Sequence, residues 1–190
     1  MNQLFHFLDH YVSFTESEKY FISSACTYKQ LNKNDFFLLQ GKTPTTLAIL
    51  TNGAFRFFHT NEGGEEINTE FILDHGFVTN LLGFIESKES HLSVQAMENS
   101  DIIILDWRKI QLEKSLCRKF KILGSLYLNK VCLPALLHYQ LLMSETPNKR
   151  YALLLKKYPH YAQRIAQKHL ASYLRLRPET VSRIRKNLLI

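Results

Sequence analysis

The chain has 190 residues, 45% of them hydrophobic, and a formal net charge of +7 at pH 7. The hydrophobic content excludes a disordered protein, and the length allows one well-packed core plus a small second domain. Three widely separated cysteines without a C-x-x-C pair favour reduced thiols in a cytoplasmic protein, with no zinc, cluster or other cofactor. The sequence shows neither a signal peptide nor an uninterrupted apolar run of about 18 residues, so we expect no membrane partner.

After a helical opening over about residues 3–25, the first half of the chain is β-rich. Short apolar runs alternate with turn signals such as Asn52-Gly53 and Gly63-Gly64. The predicted strands are Phe36–Leu39, Leu47–Leu50, Ala54–Phe58, Thr69–Leu73, Leu92–Met97 and Ile102–Asp106. Strands this short and evenly spaced predict a β-barrel or jelly roll.

Residues 108–145 are mostly helix formers and predict a long helix. Its apolar positions keep spacings of three and four: Leu116, Phe120, Leu123, Tyr127, Val131, Pro134, Leu137 and Leu141. The pattern fits a stripe that faces the core, and it equally permits the seam of a helical dimer. Pro134 inside this helix removes a backbone hydrogen bond and predicts a kink that costs about 3 kcal/mol.

Residues 167–188, QKHLASYLRLRPETVSRIRKNL, predict two short helices joined by a tight turn. Helical spacing runs from about Gln167 to Leu174 and again from about Pro178 to Leu188, and proline suits the first turn of the second helix. Such a pair is a helix-turn-helix, whose second helix lies in the DNA major groove.

The second helix has one apolar and one polar face. The apolar face holds Val181, Ile184 and Leu188, and the polar face holds Glu179, Ser182, Arg183 and Lys186. Glu can accept from cytosine, Arg can bind guanine, and Ser and Lys can reach bases or phosphates. The alternative is an ordinary amphipathic helix whose charged face is exposed to solvent, since such a helix has the same pattern. The charge distribution favours DNA, because residues 146–190 carry eleven Lys or Arg against one acidic residue.

The segment RPETVSRIRK resembles the recognition helix of the cyclic-AMP receptor protein/Fnr (Crp/Fnr) family of bacterial transcription regulators, and residues 150–174 resemble the segment before it. The resemblance implies DNA contacts by Glu179, Thr180 and Arg183. From their positions, we expect Arg185 and Lys168 to contact phosphates.

Two residues depart from the family pattern in the turn. Arg175 stands where the family usually has Gly, and a non-glycine residue is strained there if φ is positive. Arg177 precedes Pro178, where the family usually has Ser or Thr, so no short side chain can cap the helix. We expect Arg175 and Arg177 to contact phosphates instead.

The segment LQGKTPTTLAILTNGAFRFF resembles strands of the family's cyclic-nucleotide-binding domain. Nucleotide-binding members hold the ribose with a Glu and the phosphate with an Arg, but Asn80 and Ser90 stand at those places. The candidate effector pocket comprises Thr79, Asn80, Leu81, Ser90 and His91, with Lys88 or His91 as a replacement cation. A buried phosphate needs a cationic fork or backbone donors, so we expect weak cyclic AMP binding or none.

The sequence therefore predicts an α+β fold in three parts. These are an N-terminal jelly-roll or β-barrel, cyclic-nucleotide-binding-like sensory domain (1–115), a dimerisation helix (116–145) and a C-terminal helix-turn-helix, winged-helix-like domain (146–190). The predicted function is that of a homodimeric transcription regulator, not an enzyme. Its expected partners are promoter or operator double-stranded DNA, RNA polymerase and a small-molecule effector of unknown identity. The alternative is a small-molecule-sensing or protein-interaction module whose basic tail binds another acidic partner.

Overall fold

The computed structural model describes residues 1–188, without the side chains of Lys130 and Leu188. The helices are α1 (Asn2–Asp9), α2 (Glu16–Ser24), α3 (Leu81–Glu86), α4 (Trp107–Leu112), α5 (Lys114–Ser144), α6 (Pro147–Lys157), α7 (Tyr161–Arg164), α8 (Gln167–Tyr173) and α9 (Pro178–Leu188). The strands are β1 (Cys26–Leu31), β2 (Phe36–Leu38), β3 (Leu47–Asn52), β4 (Ala54–Thr60), β5 (Glu66–Leu73), β6 (Gly76–Phe77), β7 (Ser93–Ala96) and β8 (Ser100–Leu105). This arrangement confirms the α+β fold class.

The chain divides into two compact units. The first comprises Met1–Phe57 and Phe71–Val131, and the second comprises Phe58–Glu70 and the chain from Cys132 onward. The tip of the β4–β5 hairpin therefore groups with the C-terminal helices. The domain boundaries predicted at residues 115 and 145 stay predictions.

Two antiparallel four-stranded sheets form the jelly roll, in the orders β1-β8-β3-β6 and β2-β7-β4-β5. The apolar run Leu47–Leu50 in β3 is buried on both faces. Because successive side chains of a strand point to opposite faces, Leu47 and Ile49 pack with α1 and the start of α5, whereas Ala48 and Leu50 join the second core cluster. The continuous apolar run thus reflects a strand covered on both sides.

The helical opening consists of two helices instead of one. The first ends at Asp9, and Thr15 starts α2 with a capping box, in which its hydroxyl accepts from the Glu18 backbone N–H and the Glu18 carboxylate accepts from the Thr15 N–H. Strand β1 follows and was not predicted, because it is an edge strand whose middle residues are exposed and mostly polar. An edge strand needs no continuous apolar run.

In the second unit, α8 and α9 begin at Gln167 and Pro178, where the sequence predicts them. They pack through buried Leu170, Ala171, Val181 and Ile184. Helix α5 runs unbroken through Pro134, so the lost backbone hydrogen bond does not end it. The described residues 132–188 contain no strand, so no wing hairpin lies within that range.

The hairpin tip anchors α8 within the second unit. The Ser172 hydroxyl accepts from the Asn68 backbone N–H at 3.0 Å and donates to the Glu66 carbonyl at 2.8 Å. Glu70, further along β5, lies near Tyr161 and Tyr173, and burial raises its pKa to about 7. One serine hydroxyl therefore connects a strand to a helix about a hundred residues later in the chain.

Candidate functional site

A surface groove lies on the polar face of α9. Its lining residues are Gln167, Pro178, Glu179, Ser182, Arg183, Lys186 and Asn187, and its volume is about 460 Å³. The groove brings together all four residues predicted on the polar face, whereas Val181 and Ile184 on the opposite face are buried. Leu188, the third residue predicted on the apolar face, lies outside the described side chains. One helix thus presents donors and an acceptor to solvent while packing on its other side.

Three residues of this groove, Gln167, Pro178 and Asn187, are absent from the predicted DNA contacts. Gln167 donates from Nε2 to the Pro178 carbonyl at 2.8 Å, which ties the start of α8 to the start of α9. Asn187 lies four residues after Arg183, so helical periodicity could have placed it on the polar face. Gln167 is on the other helix, and only the packing of the pair brings it into the groove.

The turn between α8 and α9 is closed by two backbone hydrogen bonds. The Arg175 N–H donates to the Ser172 carbonyl at 3.1 Å, and the Leu176 N–H donates to the Ala171 carbonyl at 2.9 Å. This pair defines a Schellman motif, in which the residue after the C-cap is left-handed. Arg175 occupies that position with φ +55°, a conformation that favours glycine.

Arg177 is the N-cap residue of α9. Its carbonyl accepts from the backbone N–H groups of Thr180 and Val181, at 3.0 and 3.2 Å. The side chains of Arg175 and Arg177 are both exposed, so both guanidinium groups face solvent beside the helix pair. The tight turn thus keeps its usual geometry with arginines in place of glycine and a short capping residue.

Arg175→Gly is expected to raise the free energy of unfolding by about 1 kcal/mol, because glycine adopts the left-handed conformation without the clash of a Cβ atom. Urea unfolding of the full chain measures this change. Arg175→Ala is the matched control: it removes the same charge but keeps the Cβ atom, so its stability should stay near that of the native chain. Equal stabilities of the glycine and alanine variants would contradict the assignment of strain.

The remaining residues predicted to contact DNA lie outside the groove lining. Lys168 is exposed at the second position of α8. Arg185 is half-buried and its positive charge acts on the Tyr151 hydroxyl, whose pKa is raised mainly by burial. Thr180 is half-buried in the first turn of α9. These positions separate them from Glu179 and Arg183, which face the groove.

In the first unit, Asn80 and Ser90 bind each other. The Asn80 Nδ2 donates to the Ser90 Oγ at 2.7 Å, and Ser90 Oγ donates in turn to the Leu92 carbonyl at 2.6 Å. The Asn80 Oδ1 also caps α3 by accepting from the Gly83 N–H. The two positions at which the resemblance implies ribose and phosphate ligands are thus joined by a hydrogen bond.

The other candidate pocket residues do not converge on one point with free polar groups. Buried Thr79 donates to the Thr46 carbonyl and accepts from the Ala48 N–H, and Leu81 packs against the core. His91 is exposed. Lys88 is 73% exposed and pairs with Glu86 at 2.9 Å. Neither replacement cation is therefore buried where it could neutralise an enclosed phosphate.

The apolar residues of α5 form two sets. Leu116, Phe120, Leu123 and Tyr127, which the sequence analysis weighed as a dimer seam, lie in the core of their own unit. A second set is exposed and comprises Ile122, Leu126, Leu133, Leu136, Leu137, Tyr139 and Met143. Of the predicted seam, Leu137 belongs to the exposed set. The exposed apolar face of α5 is therefore largely different from the face that the three-four spacing predicted as a dimer seam.

Helix α5 is the one described helix that is long and apolar enough to cross a membrane, judged by length and composition alone. The sequence predicts no span, because no uninterrupted apolar run approaches about 18 residues. Its composition is weak support for a membrane span, since a core or interface helix of a soluble protein has the same character.

Comparison with known proteins shows which family model and which solved structures this chain resembles. Residues 28–112 match the family model of the cyclic nucleotide-binding domain. No curated protein matches the chain. Among solved structures, the chain is similar to FixK2 from Bradyrhizobium japonicum (19% identity, 86% of this chain and 84% of that chain, TM-score 0.69). It is also similar to the c-di-GMP responsive global regulator CLP of Xanthomonas campestris (17% identity, 90% of this chain and 90% of that chain, TM-score 0.70). A third similar structure is a CRP/FNR family transcriptional regulator of Thermus thermophilus (14% identity, 86% of this chain and 86% of that chain, TM-score 0.68).

These comparisons define the fold of the chain. Residues 28–112 form a cyclic nucleotide-binding domain, and the chain has the fold of the Crp/Fnr regulators. The resemblance seen in the sequence is thereby confirmed.

Proposed function

We propose that the chain is a sequence-specific DNA-binding transcription regulator of the Crp/Fnr type, acting in the cytoplasm and recruiting or blocking RNA polymerase at a promoter or operator. The observation that carries the proposal is the groove on α9, where Glu179, Ser182, Arg183 and Lys186 are presented together. Arginine and glutamate are side chains that read guanine and cytosine in the major groove. The proposal assigns no chemical reaction to the chain.

The surrounding charge supports a polyanionic partner. Residues 146–190 carry eleven Lys or Arg and one acidic residue, whereas the rest of the chain carries 13 basic and 16 acidic residues. Lysines and arginines that neutralise phosphates release counterions, which drives binding at low salt. We assign Lys168, Arg175, Arg177 and Arg185 to phosphates and the groove residues to base edges, because phosphate contacts position a protein and base contacts specify sequence.

The same proposal includes a homodimer. The exposed apolar residues of α5 in the second unit, from Leu133 to Met143, would be covered by a second copy, since exposed apolar surface marks an interaction site. A twofold dimer can place two recognition helices about 34 Å apart, the spacing of successive major grooves. Dimerisation through α5 would therefore bring two recognition helices into one complex.

Selection of preferred sites from random duplex DNA tests the proposed function. Binding isotherms on the selected duplex and on a scrambled duplex, over a salt series, then separate specific from general affinity. We expect tighter binding to the selected site and a steep loss of affinity with salt for both duplexes. Equal affinity for both duplexes would instead favour the alternative of a basic tail that binds any acidic partner.

Cyclic AMP is expected not to bind at micromolar concentration. Asn80 and Ser90 already bond each other, and Ser90 offers a phosphate no cationic group at the position where the resemblance implies an Arg. Calorimetric titration of the full chain measures this, with DNA binding of the same sample as proof that it is folded. Micromolar cyclic AMP affinity that is lost in Lys88→Gln or His91→Gln would overturn the expectation and identify the replacement cation.

A further inference from the structure

A second cavity lies in the helical unit, away from the groove on α9. It has a volume of about 450 Å³, within the range of small-molecule sites. The floor is apolar and comes from α5 and α6, with Pro134, Leu137, Leu141, Leu153 and Leu154. The proposed DNA contacts use none of these residues, whereas Leu137 also belongs to the exposed set of α5.

One wall of the cavity is held rigid by ring contacts. The His138 ring stacks on Tyr173, with centroids 3.8 Å apart and an interplanar angle of 8°. His138 Nε2 also lies 3.0 Å from the Tyr173 carbonyl. Tyr158, on the same lining, stacks on Tyr161 at 4.6 Å. The cavity thus has aromatic side chains at fixed positions next to the leucines.

The charged side chains on the cavity lining are cationic. Lys156 and Lys157 lie on its lining, and the lining includes no carboxylate among the described residues. Arg150 donates from its guanidinium to the Leu174 carbonyl at 3.3 Å, directly beside the cavity. The pKa of His138 is lowered first by burial and then by the positive charges of Arg175, Lys157 and Arg150, against an opposing hydrogen bond with the Tyr173 carbonyl. The lining therefore has an excess of positive charge that an anion would relieve, while the Glu70 carboxyl near Tyr173 lies outside the lining and has its pKa raised to about 7 by burial.

We propose that this cavity binds an aliphatic carboxylate, with its hydrocarbon chain among the leucines and its carboxylate beside Lys156 and Lys157. An apolar floor favours a hydrocarbon body, and two ammonium groups without a carboxylate partner on the lining favour a negative head. The inference does not depend on DNA binding. Because Tyr173 and Leu174 directly precede the left-handed Arg175, the bound molecule would contact the helix-turn-helix.

Calorimetric titration of the full chain with octanoate, decanoate and dodecanoate, each below its micelle concentration, tests the chemistry of the ligand. Affinity should rise about three- to fourfold for each added methylene until the cavity is filled. Decan-1-ol should bind at least about tenfold more weakly than decanoate, because it lacks the charge. Equal binding of the alcohol, or no binding of any carboxylate, would overturn the proposal.

Substitutions test the location of the site. Leu153→Trp, which narrows the cavity, and Lys157→Gln, which removes one cation, should each weaken decanoate binding by about fivefold or more, a change of about 1 kcal/mol. Leu82→Trp in α3 and Lys149→Gln in α6 are matched controls outside the lining and should leave the affinity within about twofold.

The Lys157→Gln result decides the case if the tryptophan variant does not fold, since the Lys157 side chain is exposed. Unchanged affinity in that variant would overturn the assignment of the carboxylate to this cavity. If the native chain binds no decanoate and Leu153→Trp lowers its oligomeric state in light scattering, a second copy of the chain fills the cavity and the proposal is wrong.

Discussion

Leu133→Glu is expected to convert the dimer into a monomer and to lower DNA affinity at least about 100-fold. Leu133 is 59% exposed in the single chain and lies in the exposed apolar set of α5. Covering a leucine with a second copy gains about 1.5–3 kcal/mol, and a twofold interface counts each substitution twice. Glutamate loses that gain and adds a carboxylate that the interface would have to desolvate.

Light scattering at micromolar concentration measures the change in mass, and binding isotherms on the selected duplex measure the loss of affinity. Leu112→Glu is the matched control, because Leu112 is 81% exposed in α4 and lies outside α5. It should leave both mass and affinity unchanged. A native chain that is monomeric and binds DNA equally well would remove the dimer from the proposed function.

Arg183→Ala is expected to cost about 1–3 kcal/mol of binding free energy on the preferred site and to relax the preference at one base pair. Arg183 lines the groove on α9 opposite buried Val181 and Ile184, so its guanidinium faces outward from the helix pair. A base contact contributes only where the matching base is present, so the loss on a scrambled duplex should be much smaller.

Lys168→Ala is the comparison variant for phosphate binding. Lys168 is exposed on α8 outside the groove lining, and its loss should weaken binding to all sequences alike and lower the salt slope by about one unit. Isotherms for both variants over a salt series on preferred and scrambled duplexes test the two assignments together. If Arg183→Ala weakens both duplexes equally, the helix does not read sequence through Arg183.

Elements defined by local pattern could be predicted from the sequence. The second helix of the pair begins at Pro178 because proline suits a first turn, and the apolar run Leu47–Leu50 indicates a strand because its residues are buried on both faces. Strand β1 escaped prediction since an edge strand carries little apolar signal. The sequence thus predicts those elements whose own residues carry the signal, such as a proline in a first turn or a continuous apolar run.

Relationships between distant residues could not be predicted in this way. The periodicity of α5 marks apolar faces, but it does not tell which face packs in the core and which stays exposed, and the predicted seam fell mostly on the core face. Likewise, the sequence places Asn80 and Ser90 at pocket positions, but their mutual hydrogen bond depends on how α3 and the loop before β7 fold. Such facts depend on tertiary packing and not on residue spacing.

The hairpin tip has a consequence for how the molecule can be divided. Because Phe58–Glu70 belongs to the second unit, the backbone passes between the units at three places, after Phe57, Glu70 and Val131. Cleavage after Val131 would therefore separate the C-terminal helices from the hairpin tip of their own unit, which would stay attached to the first unit. A fragment beginning at Cys132 would also lack Glu66 and Asn68, whose backbone groups satisfy the Ser172 hydroxyl. We therefore expect that a fragment with the helix-turn-helix needs the hairpin tip as well in order to keep these hydrogen bonds.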